Sequence, residues 1–217
     1  MSGSASRHYP TGDLRDQLAH LGSSVVRSGL VVGSGGNLSA RVPDVDECWA
    51  TAAGTWLDGL DRGSFVRIRI IDGAILDGVA PSSELGLHLA IYRARPDVNA
   101  VVHLHPQSVL LLDAIGAPIR LVTTDHAFYL RRVATTPFVP PGRPDVGRLA
   151  AEVCAAGINC LVLSRHGCCV VADSVELAHK RALYLEEAAR LTYQALALGA
   201  ALPELPADWL DDPAATA

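Results

Sequence analysis

The sequence predicts an α/β fold, a single domain in which helices sandwich a central, mostly antiparallel sheet. Three observations predict it. Segments with apolar residues every three or four positions are mixed with short strand-like runs, without a regular strand-helix-strand repeat. Hairpin signals such as Asp72-Gly73 separate neighbouring strand runs, which makes that part antiparallel. Finally, 217 residues at 49% hydrophobic and 19% charged supply the core of one large domain, with no internal repeat.

Along the chain, Leu14, Leu18, Leu21, Val25 and Val26 mark an amphipathic helix over 13–30 that ends near Gly29, and a glycine-rich loop follows. Strands are expected at 38–42, 47–51 and 65–71, the last alternating Val66, Ile68 and Ile70 with Arg67 and Arg69. Asp72-Gly73 tolerates the positive φ of a two-residue hairpin and should fold 65–71 back onto 74–76. Pro81-Ser82-Ser83-Glu84 should open a second helix, a serine capping its first amides, that runs to about Arg95 before Pro96. Residues 100–104 read as a strand, 106–115 as a helix, 131–135 as a candidate strand, and 145–155 as a helix bounded by Pro144 and Gly157. Apolar strands at 160–163 and 168–172 flank Arg165-His166-Gly167, and a long helix over 174–198 closes the fold. The domain thus spans 13–200, after a flexible segment at 1–12. Beyond it lies a tail at 201–217, where Pro203, Pro206 and Pro213 point to a surface strap or a frayed end.

Composition excludes several function classes. A net charge of -5, with no basic cluster longer than pairs such as Arg131-Arg132, leaves no electrostatic footprint for nucleic acid. No apolar run has the length of a signal peptide or a membrane span, so a cytoplasmic protein with no membrane partner is expected. Cys48, Cys154, Cys160, Cys168 and Cys169 are odd in number and lack C-x-x-C spacing, which favours buried reduced thiols over a disulfide framework or a zinc ribbon.

The chemistry begins with His103 and His105. Two residues apart on a strand, their imidazoles point the same way and can share one ion. His166 stands at the end of another strand, where a turn at Gly167 lets the backbone present its ring. Three imidazoles plus water suit Zn²⁺ with an open position, and Glu84 could be a fourth ligand or the acid/base. The plain alternative is a pair of hydrogen-bonded core histidines. Burying both on one face without a partner would incur polar desolvation twice, which favours the metal. His88 falls on the helical face of Glu84 and reads equally as an orienter of that carboxylate or as helix surface. His8, His20 and His179 have no ligand partners at useful spacing, and Cys168 reads as a buried thiol rather than a soft ligand. The loop Gly33-Ser34-Gly35-Gly36-Asn37 is not a dinucleotide fingerprint, because a helix precedes it and Leu38 falls where the last glycine belongs. That loop and Ser82-Ser83 could together hold a phosphate, although spacing alone reads them as a turn and an N-cap.

Taken in order, Gly35-Gly36-Asn37-Leu38-Ser39, Thr51-Ala52-Ala53-Gly54, Pro81-Ser82-Ser83-Glu84, the run from Arg95-Pro96-Asp97 through His103-Leu104-His105, and His166-Gly167 resemble the class II aldolase/adducin family over about residues 14–198. The resemblance implies zinc on His103, His105 and His166, with Mn²⁺, Co²⁺ or Fe²⁺ able to take the same ligands, and Glu84 as acid/base at the metal. It implies a phosphate among Gly36, Asn37, Gly54, Ser82 and Ser83, and a homotetramer with sites between neighbouring subunits. The activity implied is aldol cleavage of a sugar phosphate or related hydroxy-ketone through a metal-stabilised enediolate. Decarboxylation, epimerisation or dehydration at the same metal, and a non-catalytic adducin-like binding module, are the alternatives; retention of Glu84 and the three histidines argues against the module. Two departures stand out. Ala53 replaces a hydroxyl residue of the phosphate pattern, and no tyrosine stands near Val122 or Thr123, where fuculose-phosphate aldolase has a catalytic one. His126 or Tyr129, in the 125–129 segment, are the candidate replacement donors.

Overall fold

The computed structural model describes residues 9–203 and residue 205; the expectations for residues 1–8 and for most of the tail, with Pro206 and Pro213, lie outside them. Helix α1 (Leu14–Arg27) starts where the Asp13 carboxylate accepts from the Arg15 N–H at 2.9 Å, and it buries Leu18, Leu21 and Val25. Gly29, at φ 75°, then turns the chain out of the helix. Strands β1 (Asn37–Arg41), β2 (Glu47–Thr51), β3 (Phe65–Arg69) and β4 (Ile75–Asp77) form an antiparallel meander. After α2 (Leu85–Ala94), strand β5 (Ala100–Leu104) inserts beside β1. Then follow α3 (Gln107–Ile115), α4 (Thr124–Leu130), β6 (Val133–Thr136), α5 (Pro144–Ala155), β7 (Cys160–Leu163), β8 (Gly167–Ala172) and α6 (Val175–Ala197).

One eight-stranded sheet results, in the order β4-β3-β2-β1-β5-β8-β7-β6. Every neighbouring pair is antiparallel except β6 with β7, because the intervening α5 carries the chain back to start the next strand in the same direction. Period-two alternation sorts the side chains into two layers. Leu38, Ala40, Val102, Leu104, Val162 and Val170 face α1, α3 and α6, whereas Val66, Ile68, Val101, Leu161, Cys169 and Val171 face α2 and α5. His103 shares the parity of Val101 and so belongs to the α2 side. The five cysteines are free and buried, as their spacing suggested. Among the described residues, no helix is long and apolar enough to cross a membrane.

Two local expectations need correction, and one helix was not expected. Arg69 N–H donates to the Ala74 carbonyl, so residues 70–73 form a four-residue loop with positive φ only at Gly73, not a two-residue turn. The candidate strand at 131–135 lies at Val133–Thr136, after Arg131 takes a φ of 58°. Helix α4, capped by the Thr123 hydroxyl accepting from His126 N–H at 3.1 Å, had no visible period because its seven residues span only two turns.

Candidate metal centre

Strand β5 lies between β1 and β8, and its register sets Asn37, His103 and Cys169 in one row across the sheet. His103 is fully buried. His105, one residue beyond the strand, turns its ring the same way, with centroids 4.9 Å apart. His166 arrives from the 164–166 loop of the β7–β8 hairpin, its ring centroid 4.7 Å from that of His103 and 5.5 Å from that of His105. The bend that presents it is not at Gly167 but at Arg165, whose φ is 58°. Asp113 of α3 holds that bend, accepting from Arg165 N–H at 2.7 Å and from the Ser164 hydroxyl at 3.4 Å. Gly167 contributes space instead, since a Cβ there would collide with the Leu104 carbonyl and lie 2.6 Å from His105 Cδ2. Gly35 and Gly36 are used similarly: a Cβ would lie 2.8 Å from His105 Nδ1 at the first and 2.7 Å from the His103 carbonyl oxygen at the second.

Helix α2 begins at Leu85, later than the Pro81-Ser82-Ser83 signal, with Ser82 Oγ accepting from Glu84 N–H at 3.3 Å. Glu84 occupies the N-cap position but makes no capping bond with its side chain. Its carboxylate turns inward, Oε1 lying 2.9 Å from His166 Nε2 and Oε2 3.1 Å from His103 Nε2. Burial pushes this carboxyl up, but His103, His166 and Asn37 outweigh burial and hold it well below the usual carboxylate range. One ligand atom from each of Glu84, His103, His105 and His166 lies within 4.8 Å of the others.

This donor set fits a cation. His103 Nδ1 is 2.9 Å from the Cys168 carbonyl oxygen, which can only accept, so Nδ1 carries the proton and Nε2 presents a lone pair. That lone pair faces His105 Nε2 at 3.0 Å and the Glu84 carboxylate at 3.1 Å. His105 Nε2–H can donate to that lone pair in one tautomer, but the ionised Glu84 carboxylate can only accept, so the contact between a neutral His103 and Glu84 calls for positive charge between them. Burial, reinforced by His103 and His166, brings His105 down to about 4, so that ring adds no charge of its own near neutrality. A divalent metal ion meets the need, with three imidazole nitrogens and a carboxylate as its donors.

Behind Glu84 runs a buried hydrogen-bond chain whose direction is fixed from one end. Asn37 Nδ2 donates to Glu84 Oε2 at 2.8 Å, so Asn37 Oδ1 must accept from His88 Nε2 at 2.5 Å. His88 Nδ1 then accepts from the Ser39 hydroxyl at 2.6 Å, and Ser39 Oγ accepts from Tyr92 Oη–H at 2.8 Å. Burial, with His103 adding to it, pulls His88 down to about 3, which agrees with the neutral ring this direction requires. His88 is therefore buried and not helix surface, and of the two readings of this residue the geometry supports the orienter. The sequence carried a signal for the chain: Glu84, His88 and Tyr92 follow one another at i, i+4 on α2, facing Asn37 and Ser39 at i, i+2 on β1.

The other expected site residues divide into two groups. Ala53 N–H donates to the Ala80 carbonyl and Ala52 bridges Pro81, so the turn with Gly54, at φ 74°, runs beside Ser82 and Ser83. Gly36 adjoins them through β1, where Leu38 N–H donates to Thr51 Oγ1 at 3.2 Å. Asn37 differs, because one amide hydrogen and its oxygen are already engaged by Glu84 and His88. The second group lies elsewhere in the protomer. His126 is fully buried, its Nδ1 accepting from Val122 N–H and its Nε2 3.3 Å from Glu187, while Tyr129 stacks on Tyr184 at 4.7 Å. Among the described residues, neither has a hydrogen bond, ion pair or ring contact with Glu84 or the three histidines. Cys168 contributes only its carbonyl to His103, and burial pushes its thiol far up. His20 and His179, away from this centre, pack with Tyr9 in a ring cluster.

Comparison with known proteins places this geometry in a family. Residues 16–193 match the family described as Class II Aldolase and Adducin N-terminal domain. The 3-oxo-tetronate 4-phosphate decarboxylase of Escherichia coli K12 is 33% identical over 184 residues, covering 83% of this chain and 86% of that protein. The L-fuculose phosphate aldolase of Methanocaldococcus jannaschii is 32% identical over 162 residues, covering 75% and 86%. Among solved structures, YgbL from Escherichia coli superposes with a TM-score of 0.79 at 32% identity, over 84% of this chain and 89% of that one. An L-fuculose 1-phosphate aldolase shares the fold with a TM-score of 0.83 at 23% identity, over 95% and 96%. The chain belongs to the class II aldolase/adducin family.

Proposed function

We propose that this protein is a divalent-metal-dependent carbon–carbon lyase acting on a phosphorylated small molecule. The observation that carries the reading is the convergence of Glu84, His103, His105 and His166, with a lone pair of His103 aimed at a carboxylate. A bound divalent ion, with zinc favoured by the imidazole set, supplies Lewis acidity toward a substrate carbonyl and its neighbouring hydroxyl. Glu84 moves the proton, its Oε2 held by Asn37 and its Oε1 beside His166 Nε2 at 2.9 Å. The position of Glu84 at the start of α2 further favours its ionised form, so it acts first as a base. The backbone at Gly36 and Gly54 and the hydroxyls of Ser82 and Ser83 hold the phosphate, with the second amide hydrogen of Asn37 beside them.

Aldol cleavage of a ketose phosphate is one outcome of this machinery and decarboxylation of a phosphorylated 3-oxo acid is the other. A specific observation favours decarboxylation. Aldol cleavage needs a group to manage the proton of the departing aldehyde, whereas Val122 and Thr123 replace the family tyrosine and neither His126 nor Tyr129 meets the cluster within the protomer. Loss of carbon dioxide needs no such group; the carbon left behind takes one proton, which Glu84 would relay from solvent. In a homotetramer with sites between subunits, the 123–132 segment of a neighbour would be the source of a donor for aldol cleavage.

The test is metal content per chain by elemental analysis, on wild type and on the His103→Ala/His105→Ala variant. Retro-aldol assays on ketose phosphates and carbon dioxide release from phosphorylated 3-oxo acids run alongside. Near-stoichiometric metal that the double variant loses, with one of the two activities, is the expected result. A folded wild type that takes up no metal even after supplementation overturns the lyase reading in favour of a binding module.

A further inference from the structure

A cleft of about 380 Å³ opens directly beside Glu84, between the start of α2 and the segment that leads into α5. Ser83 and Glu84 line one side, Leu87 and Val146 are among its apolar residues, and Arg143 stands on the other side. Two more arginines line this cleft, but each is engaged. Arg93 donates through Nε to the Ile70 carbonyl at 2.8 Å, and Arg148 pairs with Asp145 and Glu152. The Arg143 carbonyl accepts from Val146 N–H at 3.1 Å, but its guanidinium has no hydrogen bond, ion pair or ring contact to any described residue. An unpaired guanidinium in the same cleft as an ionised active-site carboxylate is a cation awaiting an anion.

The backbone behind Arg143 is suited to that task. Residues 137–144 contain Pro137, Pro140, Pro141 and Pro144, and Pro144 is also the first residue of α5. Four fixed φ angles in eight residues reduce the freedom to be lost when a ligand binds, with Gly142, at φ 77°, the one flexible link beside Arg143. The same segment passes the cluster on its other side, since Pro137 and Val139 share a small cavity with Leu163 and His166. It therefore runs from the neighbourhood of one proposed ligand, His166, to the cleft of another, Glu84.

We infer that Arg143 is a specificity-determining residue that receives an oxyanion of the substrate in this cleft, presented by the proline-stiffened 137–144 segment. The inference rests on the lyase reading for its substrate and adds the chemistry of one end of it. The oxyanion is either the phosphate, with Ser83 and Arg143 gripping it together, or a carboxylate at the opposite end. Substrates of this site are then anionic where Arg143 meets them, and uncharged analogues are rejected.

The experiment measures binding by calorimetry of two probes, inorganic phosphate and 2-phosphoglycolate, to metal-loaded wild type, Arg143→Gln and Arg143→Lys, with metal content determined on the same samples. The Arg143 side chain is exposed and without a partner among the described residues, and its one hydrogen bond is through the backbone, so neither variant threatens the fold. The expected result is that Arg143→Gln weakens 2-phosphoglycolate at least tenfold with metal content unchanged, and that Arg143→Lys recovers part of the loss. A parallel loss for inorganic phosphate assigns Arg143 to the phosphate, and a loss confined to 2-phosphoglycolate assigns it to the carboxylate. Equal 2-phosphoglycolate affinity in wild type and Arg143→Gln, or no binding by the wild type, overturns the inference. Metal content separates that failure from the other: stoichiometric metal leaves the lyase reading standing, and absent metal removes it whatever Arg143 does.

Discussion

Replacing His88 by phenylalanine keeps a planar ring in place but removes both nitrogens from the chain that runs from Tyr92 to Glu84. Asn37 Oδ1 would lose its donor and the Ser39 hydroxyl its acceptor, in residues that are 4% and 0% exposed. A buried polar group left unpaired costs about 1–3 kcal/mol, so two of them predict a loss of about 2–6 kcal/mol. Tyr92→Phe is the graded control: Ser39 Oγ then loses one incoming bond at the far end of the chain, for about 1 kcal/mol. Urea denaturation of chelator-treated protein reads these losses without any contribution from bound metal. The chain also predicts an effect at the metal. Asn37, no longer held by His88, would release Glu84 Oε2, and partners of this kind are worth about 10–100-fold in metal affinity. A His88→Phe protein that matches wild type in both denaturation midpoint and metal affinity would refute the argument. Lower stability with unchanged metal affinity would refute the link to Glu84 alone.

Other perturbations follow from the same geometry. Gly167→Ala forces a Cβ against the Leu104 carbonyl and the rings of His103 and His105; a loss of about 3 kcal/mol or a clear drop in metal content is expected, and retention of both melting temperature and metal would disprove the need for that space. Asp113→Ala removes the acceptor of Arg165 N–H and loosens the loop bearing His166, for about 1–2 kcal/mol and weaker metal retention, checked by denaturation and chelator competition. Burial, with His20 adding to it, lowers His179 to about 4, so the folded state resists a proton that the unfolded chain accepts near 6.5. The stability so conferred is present above 6.5 and is lost as pH falls toward 4; a His179→Phe variant should therefore show a shallower decline across that window, and an unchanged slope would count against it. Chelation should lower the melting temperature, by about 4 kcal/mol equivalent where metal stands a thousandfold above its dissociation constant, and an unmoved melting curve after demonstrated metal removal would contradict the repulsion argued for His103.

Much of the fold was legible because long elements advertise their period. The 3.6-residue repeat of α1 and the two-residue parity of His103 and His105 both follow from backbone geometry and survive folding unchanged. What was not legible depended on partners distant in sequence. The bend at Arg165 is stabilised by Asp113, 52 residues away, so the neighbouring glycine drew the inference that belonged to the arginine. Helix α4 was too short to show a period, and the offset strand at Val133–Thr136 takes its register from β7, its parallel partner. Arg143 carried no signal at all, since its interest lies in the absence of a partner.

The glycines explain why the cluster lies where the central strands end. Imidazoles that must converge on one ion need their backbones closer than Cβ atoms allow, and Gly35, Gly36 and Gly167 remove that obstacle on three sides of His103 and His105. Close approach has a consequence in the charge balance. Rings packed this tightly cannot turn away, so the lone pair of His103 must face the Glu84 carboxylate with its Nδ1 proton locked on the Cys168 carbonyl. The chain through Asn37, His88, Ser39 and Tyr92 closes the remaining route to relief by fixing the carboxylate as well. Both repelling partners are thus anchored from behind by bonds that lie outside the cluster, and positive charge between them is the arrangement's remaining means of balance.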